Sequence, residues 1–138
     1  MERLELTASD LWRLAGEGLL PWFQTLPGAS AELSPHGWLL LSGEPVADLN
    51  FVYIDQGPAP DEQFRVFARV IESRGVPAFV LVAPAAASSL VSELHEHGLK
   101  PIGSMPLMVY QPDGAPASVA SFGPYRIDRI TEAADLEA

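Results

Sequence analysis

The stretch that decides the fold begins at Trp38 and reads WLLLSGEPVADLNFVYI through Ile54. Its two apolar runs, 38–42 and 46–54, flank the tripeptide Gly43-Glu44-Pro45, whose residues favour a turn. Two β-forming runs separated by a short loop that contains glycine are typical of a β-hairpin. The sequence therefore predicts a pair of neighbouring strands at the centre of the fold.

Polar residues interrupt the second run at Asp48 and Asn50, which alternate with Leu49 and Phe51. A period of two indicates a half-buried strand whose polar positions face solvent. We expect Asp48 and Asn50 to be solvent-facing; the alternative is that one of them lines a pocket.

Downstream of the hairpin, the hydrophobic period changes to that of a helix and back. Phe64, Phe67, Ala68 and Ile71 recur on one helical face, and Gly75 then supplies a helix C-cap. After the hairpin the sequence predicts a helix over 61–74 and then a strand over 76–83 that is covered on both faces. A helix over 88–97 follows, capped by Ser88 or Ser89, with Leu90, Val91 and Leu94 facing inward. The last predicted element is a strand over 101–110. This order predicts the α/β class, as an α+β sandwich in which helices pack on a sheet.

An N-terminal helix is expected to begin within Thr7-Ala8-Ser9-Asp10, because short oxygen-bearing side chains cap helices. Two glycines and Pro21 interrupt its apolar pattern, which predicts one broken helix or two short ones. Trp12 and Trp22 are interpreted as core residues, with anchoring to a membrane interface or a partner as the alternative.

Composition and charge exclude several classes of function. The 138 residues are 48% hydrophobic. They include 18 acidic and 8 basic side chains, which give a net charge of -10. Binding to nucleic acid or to an anionic membrane surface is therefore disfavoured. The chain has no cysteine, which excludes disulfides and thiolate chemistry, and it has no apolar run long enough to span a bilayer. We expect a cytoplasmic location.

The sequence offers no strong catalytic or metal-binding motif. In His95-Glu96-His97 the two imidazoles are two residues apart, so on a helix they point in opposite directions, and a solvated helix end is the favoured interpretation. His36 is isolated in a turn and has no assigned role. Nucleophile-elbow, Rossmann and Walker patterns are all missing from the sequence. We predict no metal site and no catalytic residue.

The C-terminal third changes character. Residues 112–123 are rich in Pro, Ala, Ser and Gly, which is linker composition, so we expect a first domain over 1–111. The sequence then alternates like a strand from Tyr125 to Ile130, and a helix start follows at Thr131. Residues 124–138 are therefore predicted to open a second, truncated domain.

Three short segments, GEPVADLN at 43–50, ESRGVP at 72–77 and HGLKPIG at 97–103, carry a resemblance to a known family. Together with the order of elements, they resemble the N-terminal half of bacterial two-domain members of the GNAT superfamily, the acetyl-CoA-dependent N-acetyltransferases. Residues 125–136 resemble the opening of the second, usually catalytic, GNAT domain. The resemblance implies a mixed, largely antiparallel central sheet flanked by helices, with one strand missing before the central helix.

The resemblance also implies where acetyl-CoA would bind, and this chain departs from the family there. The loop that grips the pyrophosphate falls on residues 56–61, where only Gln56 fits the family pattern. Pro58 and Pro60 each remove an N–H donor, and Asp61 opens the helix with negative charge where phosphates would lie. The family's proton-donating tyrosine falls on Leu94 and its helix asparagine on about Ala87, so neither function is retained.

These departures predict a noncatalytic GNAT-like domain that scaffolds or dimerises the catalytic half of an acetyltransferase. Its partners would be the following GNAT domain or a second copy of itself. One alternative is an acetyltransferase in its own right, with acetyl-CoA in an irregular cleft lined by Val52, Tyr53, Ile54 and Gln56. Another is a small interaction module that dimerises through the strand from Tyr125 to Ile130.

Overall fold

The computed structural model describes residues 6–105. Its helices are α1 (Ala8–Thr25), α2 (Pro60–Arg74) and α3 (Pro84–Glu96), and its strands are β1 (Ser30–Ser34), β2 (Gly37–Leu41), β3 (Asn50–Ile54) and β4 (Phe79–Val82). The chain divides into two units, Met1–Leu107 and Met108–Ala138, and every described residue belongs to the first. The expectations for the linker 112–123, for the opening domain 124–138 and for residues 106–110 lie outside the described residues.

The four strands form one mixed sheet in the order β1-β2-β3-β4. β1, β2 and β3 are successively antiparallel, whereas β4 runs parallel to β3. The α2 helix makes the crossover that a parallel pair requires. An α+β fold with a mixed, largely antiparallel sheet flanked by helices is confirmed. The strand β1, a third antiparallel strand before α2, was not predicted from the sequence.

The sheet is covered on its two faces by different elements. On one face, Leu39, Leu41, Val52 and Ile54 pack against α2 and α3. On the other face, a cluster built from the alternate residues of β2 and β3 packs against α1; it comprises Trp38, Leu40, Tyr53 and the helix residue Phe23. The period of two in each strand thus divides the core into two apolar layers.

The α1 helix is continuous, so the expectation of a broken helix is wrong. Thr7 caps it: the Asp10 amide donates to the Thr7 hydroxyl, and the Asp10 carboxylate accepts from the Thr7 amide. Pro21 lies inside the helix, which packing against the sheet stabilises. Trp12 packs on the core as expected, whereas Trp22 is 51% exposed and is not a core residue.

The β3 strand begins later than predicted, at Asn50, because Ala47–Leu49 forms a 3₁₀ turn. Asn50 is fully buried, which contradicts the solvent-facing expectation; Asp48 is exposed as expected. The side-chain oxygen of Asn50, Oδ1, accepts a hydrogen bond from the Ser42 backbone amide at 3.0 Å. Its side-chain nitrogen, Nδ2, donates to the backbone carbonyls of Glu44, Val46 and Pro77 at 2.8–2.9 Å. A buried amide with its donors and acceptor satisfied fixes the β2–β3 loop and the approach to β4.

The predicted α2 is confirmed together with its cap, since Gly75 adopts a left-handed conformation with φ 63°. The strand over 76–83 is shorter than predicted and only half-buried. The reason is its position, because β4 is the outermost strand of the sheet within residues 6–105.

The α3 helix begins at Pro84, without the predicted serine cap. Leu90 and Leu94 pack inward as expected, but Val91 is 50% exposed. The end of α3 is as predicted: Leu99 folds back after Gly98, donates its amide to the Leu94 carbonyl at 2.9 Å and packs on the core. The predicted last strand is wrong for residues 101–105, which are exposed and form no strand.

Candidate functional site

The end of β3 is where the sequence places possible contacts to a cofactor. Val52 and Ile54 are fully buried on the α2/α3 face, and Tyr53 is buried on the α1 face. These three residues are paired with β2 on one side and with β4 on the other. At the C-terminal end of β3, the Ala83 amide donates a hydrogen bond to the Ile54 carbonyl at 2.9 Å. The β3 backbone is therefore engaged in the sheet on both sides up to its final residue.

A small polar cluster follows directly after β3. The Asp55 amide donates to the His36 carbonyl at 2.9 Å, and the Asp55 carboxylate accepts from the Ser9 hydroxyl at 2.9 Å and from the Gln56 amide at 2.8 Å. Asp55 thus joins the start of α1, the β1–β2 turn and its own loop.

Tyr53 lies two residues before Asp55, at the end of β3. Burial, and after it the negative charge of Asp55, raise the pKa of Tyr53 above its usual value. Its ring stacks on Trp12 with the centroids 5.3 Å apart. Because a phenol with a raised pKa remains protonated at neutral pH, Tyr53 is not available as a general base.

The loop between β3 and α2 borders a shallow cavity of about 290 Å³. His36 forms one wall and stands directly over Gly57: a Cβ at Gly57 would lie 2.7 Å from the His36 ring. The opposite wall is the first turn of α2, where the Gln63 side chain accepts from the Ser34 hydroxyl at 2.8 Å. A glycine is required at position 57 because only a residue without a side chain fits beneath the imidazole.

The first turn of α2 is poorly suited to bind an anion. Ala59 precedes the helix without a side-chain cap, Pro60 has no N–H, and Asp61 and Glu62 add two carboxylates. Negative side chains at a helix N-terminus are stabilised by the helix dipole and repel further negative charge. This turn therefore accommodates a neutral or cationic group better than a phosphate.

Comparison of the chain with protein-family models, with curated proteins and with solved structures finds no match.

The structure separates the four predicted cofactor contacts. Val52, Tyr53 and Ile54 lie inside the sheet, whereas Gln56 is exposed in the loop. None of the four lines the cavity beside His36. Leu94 packs against the core, and Ala87 is a half-buried alanine of α3, so neither residue offers a polar side chain.

The histidines near the end of α3 do not gather metal ligands. The His97 Nδ1 lies 2.8 Å from the Glu72 carboxylate on α2, and the ring of His97 packs edge-on against Phe64. Across residues 6–105, no group of three or more His, Cys, Asp or Glu side chains could hold a metal ion. His97 thus links the C-terminal ends of α2 and α3.

In the part of the chain that the structure describes, no helix has both the length and the hydrophobicity needed to cross a bilayer.

Sequence reasoning missed two features of this region. The contact between Ser9 and Asp55 joins residues far apart in the chain, and no local pattern signals such a pair. The packing of His36 over Gly57 is also long-range, although an unexplained glycine after a strand is a signal that another group approaches the backbone closely.

Proposed function

We propose that this chain contains a noncatalytic GNAT-like domain of an acetyl-CoA-dependent N-acetyltransferase, and that it scaffolds or dimerises the catalytic half. The order of elements supports the proposal. An antiparallel meander, a helix, a parallel strand and a second helix follow one another, which agrees with the mixed, largely antiparallel sheet that the resemblance implies.

The observation that carries the noncatalytic assignment is the closed ladder between β3 and β4. A thioester bound by the β3 backbone would need an unpaired N–H or C=O group near Val52, Tyr53 or Ile54. Those residues pair with β2 and β4, and the Ala83 amide occupies the Ile54 carbonyl. Opening the ladder would leave buried polar groups without partners, at a cost of about 1–3 kcal/mol each.

The loop after β3 supports the same conclusion independently. Two prolines remove backbone donors, and the carboxylates of Asp61 and Glu62 occupy the helix start that would face a pyrophosphate. The residues present therefore do not fit acetyl-CoA, either at its thioester or at its phosphates.

The test is a titration of the whole chain with acetyl-CoA, from micromolar to millimolar ligand. Binding is measured by calorimetry and by thermal shift. A ligand that binds only the folded state raises the melting temperature as its concentration increases. We expect no saturable heat and no concentration-dependent shift. Saturable binding below about 100 μM, a free energy near −5.5 kcal/mol, would overturn the proposal and make the chain an acetyltransferase candidate.

A double variant separates the two reasons for poor binding. D61N/E62Q removes the repelling charges but leaves the β3–β4 ladder closed, whereas D48N removes one exposed carboxylate away from the loop as a control. We expect all three proteins to remain without saturable binding. Binding by D61N/E62Q alone would show that charge, and not the closed ladder, excludes the cofactor.

A further inference from the structure

We draw no further inference here: the strongest candidate, the shallow cavity between His36 and the first turn of α2, rests on a helix N-terminus and its carboxylates, and no buried polar side chain among the described residues lacks a hydrogen-bond partner and so points to a ligand there.

Discussion

The two faces of the sheet are closed by different chemistry. Against α2 and α3 the buried contacts are apolar, with Phe64 and Phe67 set among aliphatic side chains of β2 and β3. Against α1 the contacts are aromatic, and their polar atoms are also used: the Trp38 indole N–H donates to the Trp12 carbonyl at 2.8 Å. The first face is stabilised mainly by burial of area, and the second also fixes where the helix lies along the strands.

The largest loss of stability is expected for a substitution on the face of the sheet that packs against α2 and α3. Phe64 is fully buried, and F64A would remove its ring from the contact between α2 and the sheet. Truncation of a buried phenylalanine costs about 3–5 kcal/mol, so the free energy of unfolding should fall by about that amount. Urea unfolding measures it, with V66A at the exposed position 66 as the control. A loss below about 1 kcal/mol would mean that α2 contributes little to the core.

On the face that packs against α1, two glycine substitutions are expected to change stability by smaller amounts and in opposite directions. Gly16 and Gly18 both lie in α1, but a Cβ at Gly16 would clash with the Trp38 ring, whereas a Cβ at Gly18 meets nothing within 4 Å. G16A should destabilise the protein by about 1–3 kcal/mol because the buried indole must shift. G18A should stabilise it by about 0.5–1 kcal/mol because alanine favours the helix.

The same urea unfolding experiment measures both glycine variants. Two stabilised proteins would show that Trp38 moves without cost, and the close packing of α1 on β2 would then not fix the helix. Opposite signs would confirm that this face depends on shape as well as on area.

Local signals explain most of what the sequence predicted correctly. The central strands carry long apolar runs, and α2 combines a helical stripe with acidic residues at its start and Gly75 at its end. Each of these signals is complete within one element. The β1 strand has no such signal, since four of its five residues are polar or small and Leu33 is its one large apolar residue. It forms because β2 offers an edge to pair with.

The features that the sequence did not predict depend on contacts between distant segments. Asn50 looks like a surface residue of an alternating strand, yet its amide joins the β2–β3 loop to the Pro77 carbonyl in another segment. The alternative acetyl-CoA cleft, lined by Val52, Tyr53, Ile54 and Gln56, stays a prediction. That alternative rests on the family resemblance, whereas the pairing of β3 with β2 and β4 determines which backbone atoms of these strand residues are accessible.

The smallest expected effect concerns how the free energy of unfolding depends on pH. One carboxylate on each side of the sheet contributes to that dependence. On the α2/α3 side, hydrogen bonding to Arg65 lowers the pKa of Glu93 below its usual value. On the α1 side, hydrogen bonding to Thr7 lowers the pKa of Asp10. A carboxylate whose pKa is lower in the folded state than in the unfolded chain stabilises the fold above the unfolded value and loses that contribution as pH falls through the folded one.

Stability should therefore decrease as the pH falls below about 4.5, and E93Q and D10N should each make that decrease shallower. Urea midpoints between pH 2.5 and 6 measure the slopes, with E44Q at an exposed loop position as the control. Because neither carboxylate is fully buried, each change should be small next to the loss in F64A. A slope reduced by E93Q and not by D10N would show that the Arg65 pair links α2 to α3, while the cap at Asp10 acts within α1 alone. Identical slopes in all four proteins would contradict both contributions and leave buried packing as the only difference between the two faces.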